Sequence, residues 1–170
     1  MIEQQEAEYR IGIGTDIHRL IEGRKLMICG VYIPYSAGLL GHSDGDVGLH
    51  AVIDALLGAS GMGDIGTLFP DSDQKWKDAD SKELLFIVRE KLEEKRWEVV
   101  NVDLIIHAEE PKLGSAKGQM KRALAGLLGI DFTSVNIKAK TNEEFGEVGA
   151  GEAMAATATA LLRKKRRRTL

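Results

Sequence analysis

The 170-residue sequence has one cysteine, Cys29, and no large excess of charge of either sign. A single cysteine cannot form an intrachain disulfide, so the sequence indicates a protein of a reducing compartment. Because 23 basic and 26 acidic residues leave a net charge of −3, a general attraction to nucleic acid or to an anionic membrane is excluded. Cys29 lies in the apolar segment 26–30, which predicts a buried strand with the cysteine as a small core residue.

Long apolar runs are also missing, since no segment approaches the length needed to span a membrane. The N-terminal segment 1–8 is polar and acidic, unlike a signal peptide or an arginine-rich transit peptide. We therefore expect a cytoplasmic protein. The length fits a single domain over residues 1–170, in which residues 1–9 and the basic end 163–170 are flexible tails.

Strand-like and helix-like segments alternate along the chain. Period-two and β-branched patterns predict strands at residues 10–17, 26–34 (one strand or a hairpin), 97–106 and 135–141. Helical spacing predicts helices at 47–57 with Ser43 or Asp44 as cap, from Ser81 onward with Asp80 as cap, at 115–128 ending at Gly129, and at the alanine-rich segment 151–162. This alternation predicts an α+β fold, a two-layer sandwich in which a mixed β-sheet carries its helices on one face.

Three residues have side chains of the types that bind metal ions. Asp16 and His18 are two apart on a predicted strand, so their side chains point to the same face. His50, on the following helix, would complete an oxygen, nitrogen and nitrogen set that suits zinc and leaves one coordination position open. The alternatives are a strand-end carboxylate with a surface histidine, and a buried core histidine at position 50. Asp54 favours the metal site, because it lies one helical turn beyond His50 and could fix its imidazole.

The segments beside this helix have two interpretations each. His42 and Ser43 precede the helix, where backbone N–H groups can bind phosphate, although Ser43 or Asp44 could equally serve as an N-cap. The glycine-spaced acidic loop that contains residues 63–66 and 71–73 could bind hydroxyl groups or a hard cation, or it could be a solvated turn.

Several short motifs occur together and in a fixed order. They are Gly-Thr-Asp-Ile-His-Arg-Leu at 14–20, His-Ser-Asp-Gly-Asp at 42–46, Asp-Ala-Leu-Leu-Gly-Ala at 54–59, Gly-Asp-Ile-Gly at 63–66, Phe-Pro-Asp-Ser-Asp at 69–73, Glu-Pro-Lys-Leu at 110–113 and Lys-Ala-Lys-Thr at 138–141. Over about residues 11–162, this combination closely resembles the 2-C-methyl-D-erythritol 2,4-cyclodiphosphate synthase family.

The resemblance implies a role for each matched residue. It implies that Asp16, His18 and His50 bind zinc, that His42 and Thr141 orient the diphosphate and stabilise its transition state, and that Glu143 helps to hold a second divalent ion, Mg²⁺ or Mn²⁺. Asp54 is predicted to be catalytic with them, through its support of His50. Residues predicted to bind the methylerythritol part of the substrate are Ser43, Asp64, Ile65, Gly66, Phe69 and Asp71. Residues predicted to bind the nucleotide part of the substrate are Ala108, Pro111, Lys112, Leu113 and Gly114. Lys140, Asn142 and Glu143 are further predicted substrate-binding residues. A homotrimer with active sites between neighbouring subunits is also implied.

The implied reaction closes a cyclic diphosphate on 4-diphosphocytidyl-2-C-methyl-D-erythritol 2-phosphate and releases CMP. An alternative is a zinc-dependent phosphohydrolase of nucleotide diphosphates, which would use the open zinc position to generate hydroxide. That reaction needs a general base near the metal-bound water, and the sequence does not single one out. A metal-binding trimer without catalytic activity is the other alternative, and it would have no use for the phosphate-binding residues.

Overall fold

The computed structural model describes residues 7–165. Its helices and strands are, in chain order, β1 (Tyr9–Glu22), β2 (Leu26–Ile28), β3 (Val31–Ile33), β4 (Ala37–Leu39), α1 (Val47–Ser60), α2 (Ile65–Leu68), α3 (Ser81–Glu94), β5 (Trp97–His107), α4 (Lys117–Leu128), β6 (Val135–Lys140), α5 (Gly146–Gly149) and β7 (Ala153–Lys164). None of the helices in this range has the length and apolarity that crossing a membrane requires.

Five strands form one mixed sheet in the order β4-β1-β7-β5-β6. The pairs of β1 with β4 and β7, and of β5 with β7, are antiparallel, whereas β5 and β6 are parallel. α4 joins the two parallel strands as a crossover connection, and α1 packs along β1 and β7. The predicted α+β class with a mixed sheet is confirmed.

The alanine-rich segment expected to be the last helix is instead β7, which pairs with β1 on one side and β5 on the other. The prediction was wrong because helix propensity is a weak local preference that pairing with two strands overrides. Burial alternates along β7 with the period of a strand. The side chains that face the core are Met154, Ala156, Ala158, Ala160 and Leu162.

Small residues let α1 lie directly against the sheet. A Cβ on Gly12 would come within 2.0 Å of the Ala55 carbonyl oxygen, and one on Gly14 within 2.1 Å of the Ala51 carbonyl oxygen. Real Cβ atoms do not approach that closely, so only glycine fits at either position. The backbones of β1 and α1 are therefore in contact, and this contact sets the distance between Asp16, on the strand, and residues of the helix.

The N-terminus of α1 is capped by Asp46, rather than by Ser43 or Asp44 as expected from the sequence. One Asp46 carboxylate oxygen accepts from the N–H groups of Leu49, at 3.0 Å, and Cys29, at 2.8 Å. The other oxygen accepts from Gly30 N–H at 2.6 Å. Cys29 is fully buried, as predicted, but it lies in the turn after β2, not in the strand. Asp46 therefore joins this turn to the start of the helix.

The sheet reaches further toward both ends of the chain than expected. Tyr9 pairs with Arg163, and Trp97 pairs with Lys164. The prediction of flexible tails is therefore wrong at these positions, because cross-strand pairing holds the backbone and the Lys164 Nζ lies 4.1 Å from the centre of the Trp97 ring. The rest of the two expected tails, residues 1–6 and 166–170, lies outside the described residues.

Candidate active site

Asp16, His18 and His50 meet on the side of β1 that faces α1, as predicted. Asp16 Oδ2 lies 2.8 Å from His18 Nε2 and 3.0 Å from His50 Nδ1, and these two nitrogens are 3.1 Å apart. All three side chains are at least partly buried. One carboxylate oxygen and two imidazole nitrogens thus form a compact triangle of possible metal ligands.

Each imidazole of the triangle also has a partner for its second nitrogen. His18 Nδ1 lies 2.7 Å from the Leu40 carbonyl oxygen, which can only accept, so Nδ1 carries a proton and Nε2 is the nitrogen that faces the triangle. His50 Nε2 lies 2.9 Å from Ser81 Oγ and 3.0 Å from Ser43 Oγ. Metal-binding histidines have this arrangement, in which a hydrogen bond at one nitrogen orients the other toward the ion.

Ionisation in the triangle reflects competition between burial and charge. Burial alone would raise the pKa of Asp16, but its close contacts with the His18 and His50 imidazoles, in their protonated forms, hold that pKa well below the usual range. Burial would lower the pKa of His18, but the hydrogen bond and the charge of Asp16 raise it instead. A cation would be favoured at the same place, because the three groups together attract positive charge.

Asp54 does not make the expected hydrogen bond to His50 in the described structure. Its carboxylate accepts from the Ile65 N–H at 2.7 Å, at the first residue of α2. Burial raises its pKa, and the negative charges of Asp64 and Asp16 act in the same direction. Spacing of one helical turn placed the two side chains on the same face but could not show that a backbone donor from α2 lies nearer. Asp54 thus links α1 to the loop that follows it.

The triangle opens into a cavity of about 230 Å³. This cavity, which we call the metal cavity, is lined by the triangle and by His42, Ser43, Ile65, Gly66, Phe69, Asp71, Trp76 and Leu84. Most of the residues predicted for the methylerythritol part are therefore brought together. Asp64 is the exception, since it is exposed and its carboxylate caps α2 by accepting from the Thr67 N–H at 2.7 Å. Trp76 packs edge to face on Phe69, with ring centres 4.9 Å apart.

The residues predicted for the nucleotide part lie elsewhere, near a second cavity of about 610 Å³. This nucleotide cavity is lined by Glu109, Glu110, Lys112, Thr141, Glu143, Glu144 and Gly149. Thr141 Oγ1 donates to Glu143 Oε1 at 2.5 Å, and His107 Nδ1 lies 3.2 Å from Asn142 Oδ1. Pro111 is half-buried, Gly114 and Lys140 are exposed, and the side chains of Ala108 and Leu113 are almost wholly buried. The two cavities share no residue, so His42 and Thr141 do not meet within one chain.

Residues 9–163 match the model of the YgbB family. The chain belongs to the YgbB family. It is 52% identical over 153 residues to 2-C-methyl-D-erythritol 2,4-cyclodiphosphate synthase of Treponema denticola, an alignment that covers 90% of this chain and 95% of that protein.

Two solved structures show the same fold. One is the bifunctional enzyme IspDF of Campylobacter jejuni, with a TM-score of 0.90 and 41% identity over 94% of this chain and 43% of that one. The other is a CDP-bound 2-C-methyl-D-erythritol 2,4-cyclodiphosphate synthase, with a TM-score of 0.84 and 38% identity over 90% of this chain and 99% of that one.

Sequence reasoning missed several groups at this YgbB-family site. Ser81 was interpreted only as the first residue of a helix, and the Leu40 carbonyl has no signal in the sequence at all. Ser81 lies 31 positions from His50, so their contact appears only once α3 has packed against α1. Trp76 could have been noticed as an aromatic residue that closely follows the acidic loop. In the structure its ring packs against Phe69.

Proposed function

We propose that the protein converts 4-diphosphocytidyl-2-C-methyl-D-erythritol 2-phosphate to 2-C-methyl-D-erythritol 2,4-cyclodiphosphate and CMP, a step in the non-mevalonate synthesis of isoprenoid precursors. It is a cyclising lyase. The observation that carries this proposal is the triangle of Asp16, His18 and His50, which opens into a cavity lined by the residues predicted to hold the methylerythritol part. We infer a cytoplasmic location, in line with the single, buried cysteine.

The donor set fits zinc. Bonds of about 2.0–2.1 Å in a tetrahedral site separate neighbouring ligand atoms by roughly 3.3 Å. The three ligand atoms lie 2.8 to 3.1 Å apart, so a small outward movement would accommodate the ion. Asp16, His18 and His50 would hold it, with the fourth position open to the metal cavity. When bound, zinc supplies a Lewis acid for the β-phosphate, and a second ion, Mg²⁺ or Mn²⁺, would be held by Glu143 with the substrate phosphates.

The chain's own residues bind and orient the substrate, which carries its nucleophile as the 2-phosphate. Ser43, Gly66 and Asp71 offer polar groups in the metal cavity for the polyol, and the almost fully buried Phe69 offers an apolar wall. His42, on the same wall, is placed to contact phosphate. Holding the 2-phosphate oxygen in line with the departing CMP converts a flexible polyanion into a near-attack arrangement, which is the main source of rate in such reactions.

Homotrimer assembly is part of the proposal. The face of the sheet away from α1 exposes a row of isoleucines on β1, namely Ile11 at 81%, Ile13 at 67% and Ile17 at 58% exposed. Exposed apolar rows of this kind are typical of surfaces that contact another chain. Packing of three copies through this face would bury the row. The same packing would bring the nucleotide cavity of one subunit next to the metal cavity of its neighbour. Within a single chain, these two cavities share no lining residue.

The relatives give no support to the alternative, a zinc-dependent phosphohydrolase, and one experiment separates the two reactions. The purified protein is incubated with the diphosphocytidyl substrate, zinc and magnesium in ¹⁸O-labelled water, and products are followed by ³¹P NMR and mass spectrometry. Cyclisation is expected to release CMP and a cyclic diphosphate without solvent oxygen. Linear phosphate products that carry ¹⁸O would overturn the proposal in favour of hydrolysis.

Shared active sites predict recovery of activity from two inactive variants. His18→Ala removes a metal ligand, and Lys112→Ala removes a cation of the nucleotide cavity. Mixed trimers contain some interfaces with both intact halves, so we expect CMP release at up to about a quarter of the wild-type rate if one intact interface suffices. The variants are unfolded, mixed and refolded, and each variant refolded alone is the control. Mixed trimers as inactive as either variant would show that sites are not shared.

A further inference from the structure

We propose that Ser81, held by Asp44, is a positioning residue that fixes the tautomer and orientation of the His50 ring. The inference rests on the proposed metal site, which it deepens by assigning a function to residues outside the ligand triangle. Ser81 is the first residue of α3, and its side chain is fully buried beside His50. No part of the substrate-binding surface described above includes it.

The His50 ring lies between two groups of polar atoms. On one side, Nδ1 is 3.0 Å from Asp16 Oδ2 and 3.1 Å from His18 Nε2. On the other side, Nε2 is 2.9 Å from Ser81 Oγ. A neutral imidazole carries one proton, so the partner at Nε2 decides whether Nδ1 has a lone pair for a metal or a proton that repels it.

The direction of the Ser81 hydroxyl settles this choice. Ser81 Oγ donates its one hydrogen to Asp44 Oδ1. The hydroxyl can then only accept from His50, which places the imidazole proton on Nε2 and leaves the Nδ1 lone pair toward the triangle. Without Ser81, the proton would be more stable on Nδ1, where Asp16 can accept it.

Asp44 is itself fixed by backbone contacts. Its Oδ2 accepts from the Ser81 N–H at 3.2 Å, and its Oδ1 accepts from the Asp46 N–H at 3.2 Å. Asp44 N–H also donates to the Ala79 carbonyl at 3.1 Å. Ser43 Oγ is near His50 Nε2 as well, but it has no carboxylate partner among the described contacts, so its hydroxyl can donate or accept. Ser81 alone therefore has a defined direction.

The arrangement gives the two histidines opposite tautomers. The Leu40 carbonyl accepts from His18 Nδ1, and Ser81 accepts from His50 Nε2, so each ring presents its other nitrogen to the triangle. A backbone carbonyl holds one ring and a serine side chain holds the other. The second of these can be removed by substitution, which makes the inference testable.

The first test is made on the metal-free protein with ¹⁵N-labelled histidine, by long-range ¹H–¹⁵N NMR at about pH 8, where free imidazole is neutral. Wild-type His50 is expected to carry its proton on Nε2. In Ser81→Ala we expect a population with the proton on Nδ1, and zinc affinity measured by chelator competition should fall on the order of 10- to 100-fold. Ser81→Thr, which retains the hydroxyl, should restore the Nε2 proton and most of the affinity.

Ser60→Ala is the matched control. Ser60 is a buried serine of α1, the helix that carries His50, and its hydroxyl donates to the Leu56 and Leu57 carbonyls. We expect Ser60→Ala to leave the His50 tautomer and the zinc affinity unchanged, whatever it does to stability. If Ser81→Ala does not fold, Asp44→Ala replaces it, because the freed Ser81 hydroxyl should shift the tautomer in the same direction. A wild-type tautomer and affinity in these variants would overturn the inference.

The same measurements separate this inference from the proposed function. If the wild-type protein binds no stoichiometric zinc, the proposed metal site is refuted. It is also refuted if the His50→Ala variant binds zinc as well as the wild type does. The tautomer in the metal-free protein would still decide the role of Ser81. Conversely, zinc binding that requires His50 but ignores Ser81 would leave the proposed function intact and refute only the positioning role.

Discussion

Replacing Asp16 with alanine is expected to remove bound zinc and to lower kcat by roughly 10³-fold or more. Asp16 supplies the only carboxylate oxygen of the triangle, and it is the group that lies within 3.0 Å of both imidazole nitrogens. A Lewis acid contributes several kcal/mol to such a transition state, and about 1.4 kcal/mol corresponds to a factor of ten in rate. Zinc content after dialysis and the rate of CMP release are the measurements.

Asp131→Ala is the matched control for this substitution. Asp131 is an exposed aspartate that caps the short 3₁₀ helix Phe132–Ser134, and it does not line either cavity. We expect wild-type zinc content and activity from it. Full zinc occupancy in Asp16→Ala, or in a parallel His50→Ala variant, would show that the metal binds somewhere else.

Replacing Asp46 with alanine is expected to have the largest effect on stability, a loss of about 3–5 kcal/mol in the free energy of unfolding. The carboxylate is fully buried and accepts from three backbone N–H groups, those of Leu49, Cys29 and Gly30. Alanine would leave these donors without a partner and α1 without its cap. Urea denaturation monitored by circular dichroism measures the loss.

Asp80→Ala provides the comparison, because Asp80 also caps a helix, α3, but is partly exposed and its carboxylate contacts only Lys82 among the described residues, through the backbone N–H at 2.9 Å and Nζ at 3.0 Å. Its loss should cost about 1 kcal/mol, the usual value for an exposed cap. Equal losses in the two variants would mean that the contacts of Asp46 with the turn after β2 contribute little.

Local patterns predicted most of the elements. The α3 and α4 helices begin or end where capping residues indicated, with Asp80 before α3 and Gly129, in the left-handed conformation, after α4. β5 and β6 also match the predicted segments within one residue. The signals that predict these elements are local in the sequence: side-chain periodicity, a capping residue or a terminal glycine. Where the decision depended on distant partners, as for β7 between β1 and β5, local propensity gave the wrong answer.

The candidate site divides in the same way. Asp16 and His18 share a strand face because of backbone geometry. His50 was predicted as the third ligand from its place on the following helix and from the family resemblance, so the ligand triangle was predictable. The hydrogen-bond partners of the site residues could not be predicted. The Asp54 carboxylate accepts from the Ile65 N–H instead of contacting His50, and His50 Nε2 contacts Ser81 Oγ. Each of these contacts depends on how two helices or a helix and a loop pack, which spacing along the chain does not determine.

Gly12 and Gly14 contribute no functional group to the site, yet the chemistry depends on what they lack. Because the backbones of β1 and α1 touch at these positions, the distance from Asp16 and His18 to His50 is fixed by the absence of two methyl groups. A chain that retained every ligand but carried alanine at either glycine would push the helix away and widen the triangle. Inspecting ligands alone would wrongly classify such a chain as an active enzyme.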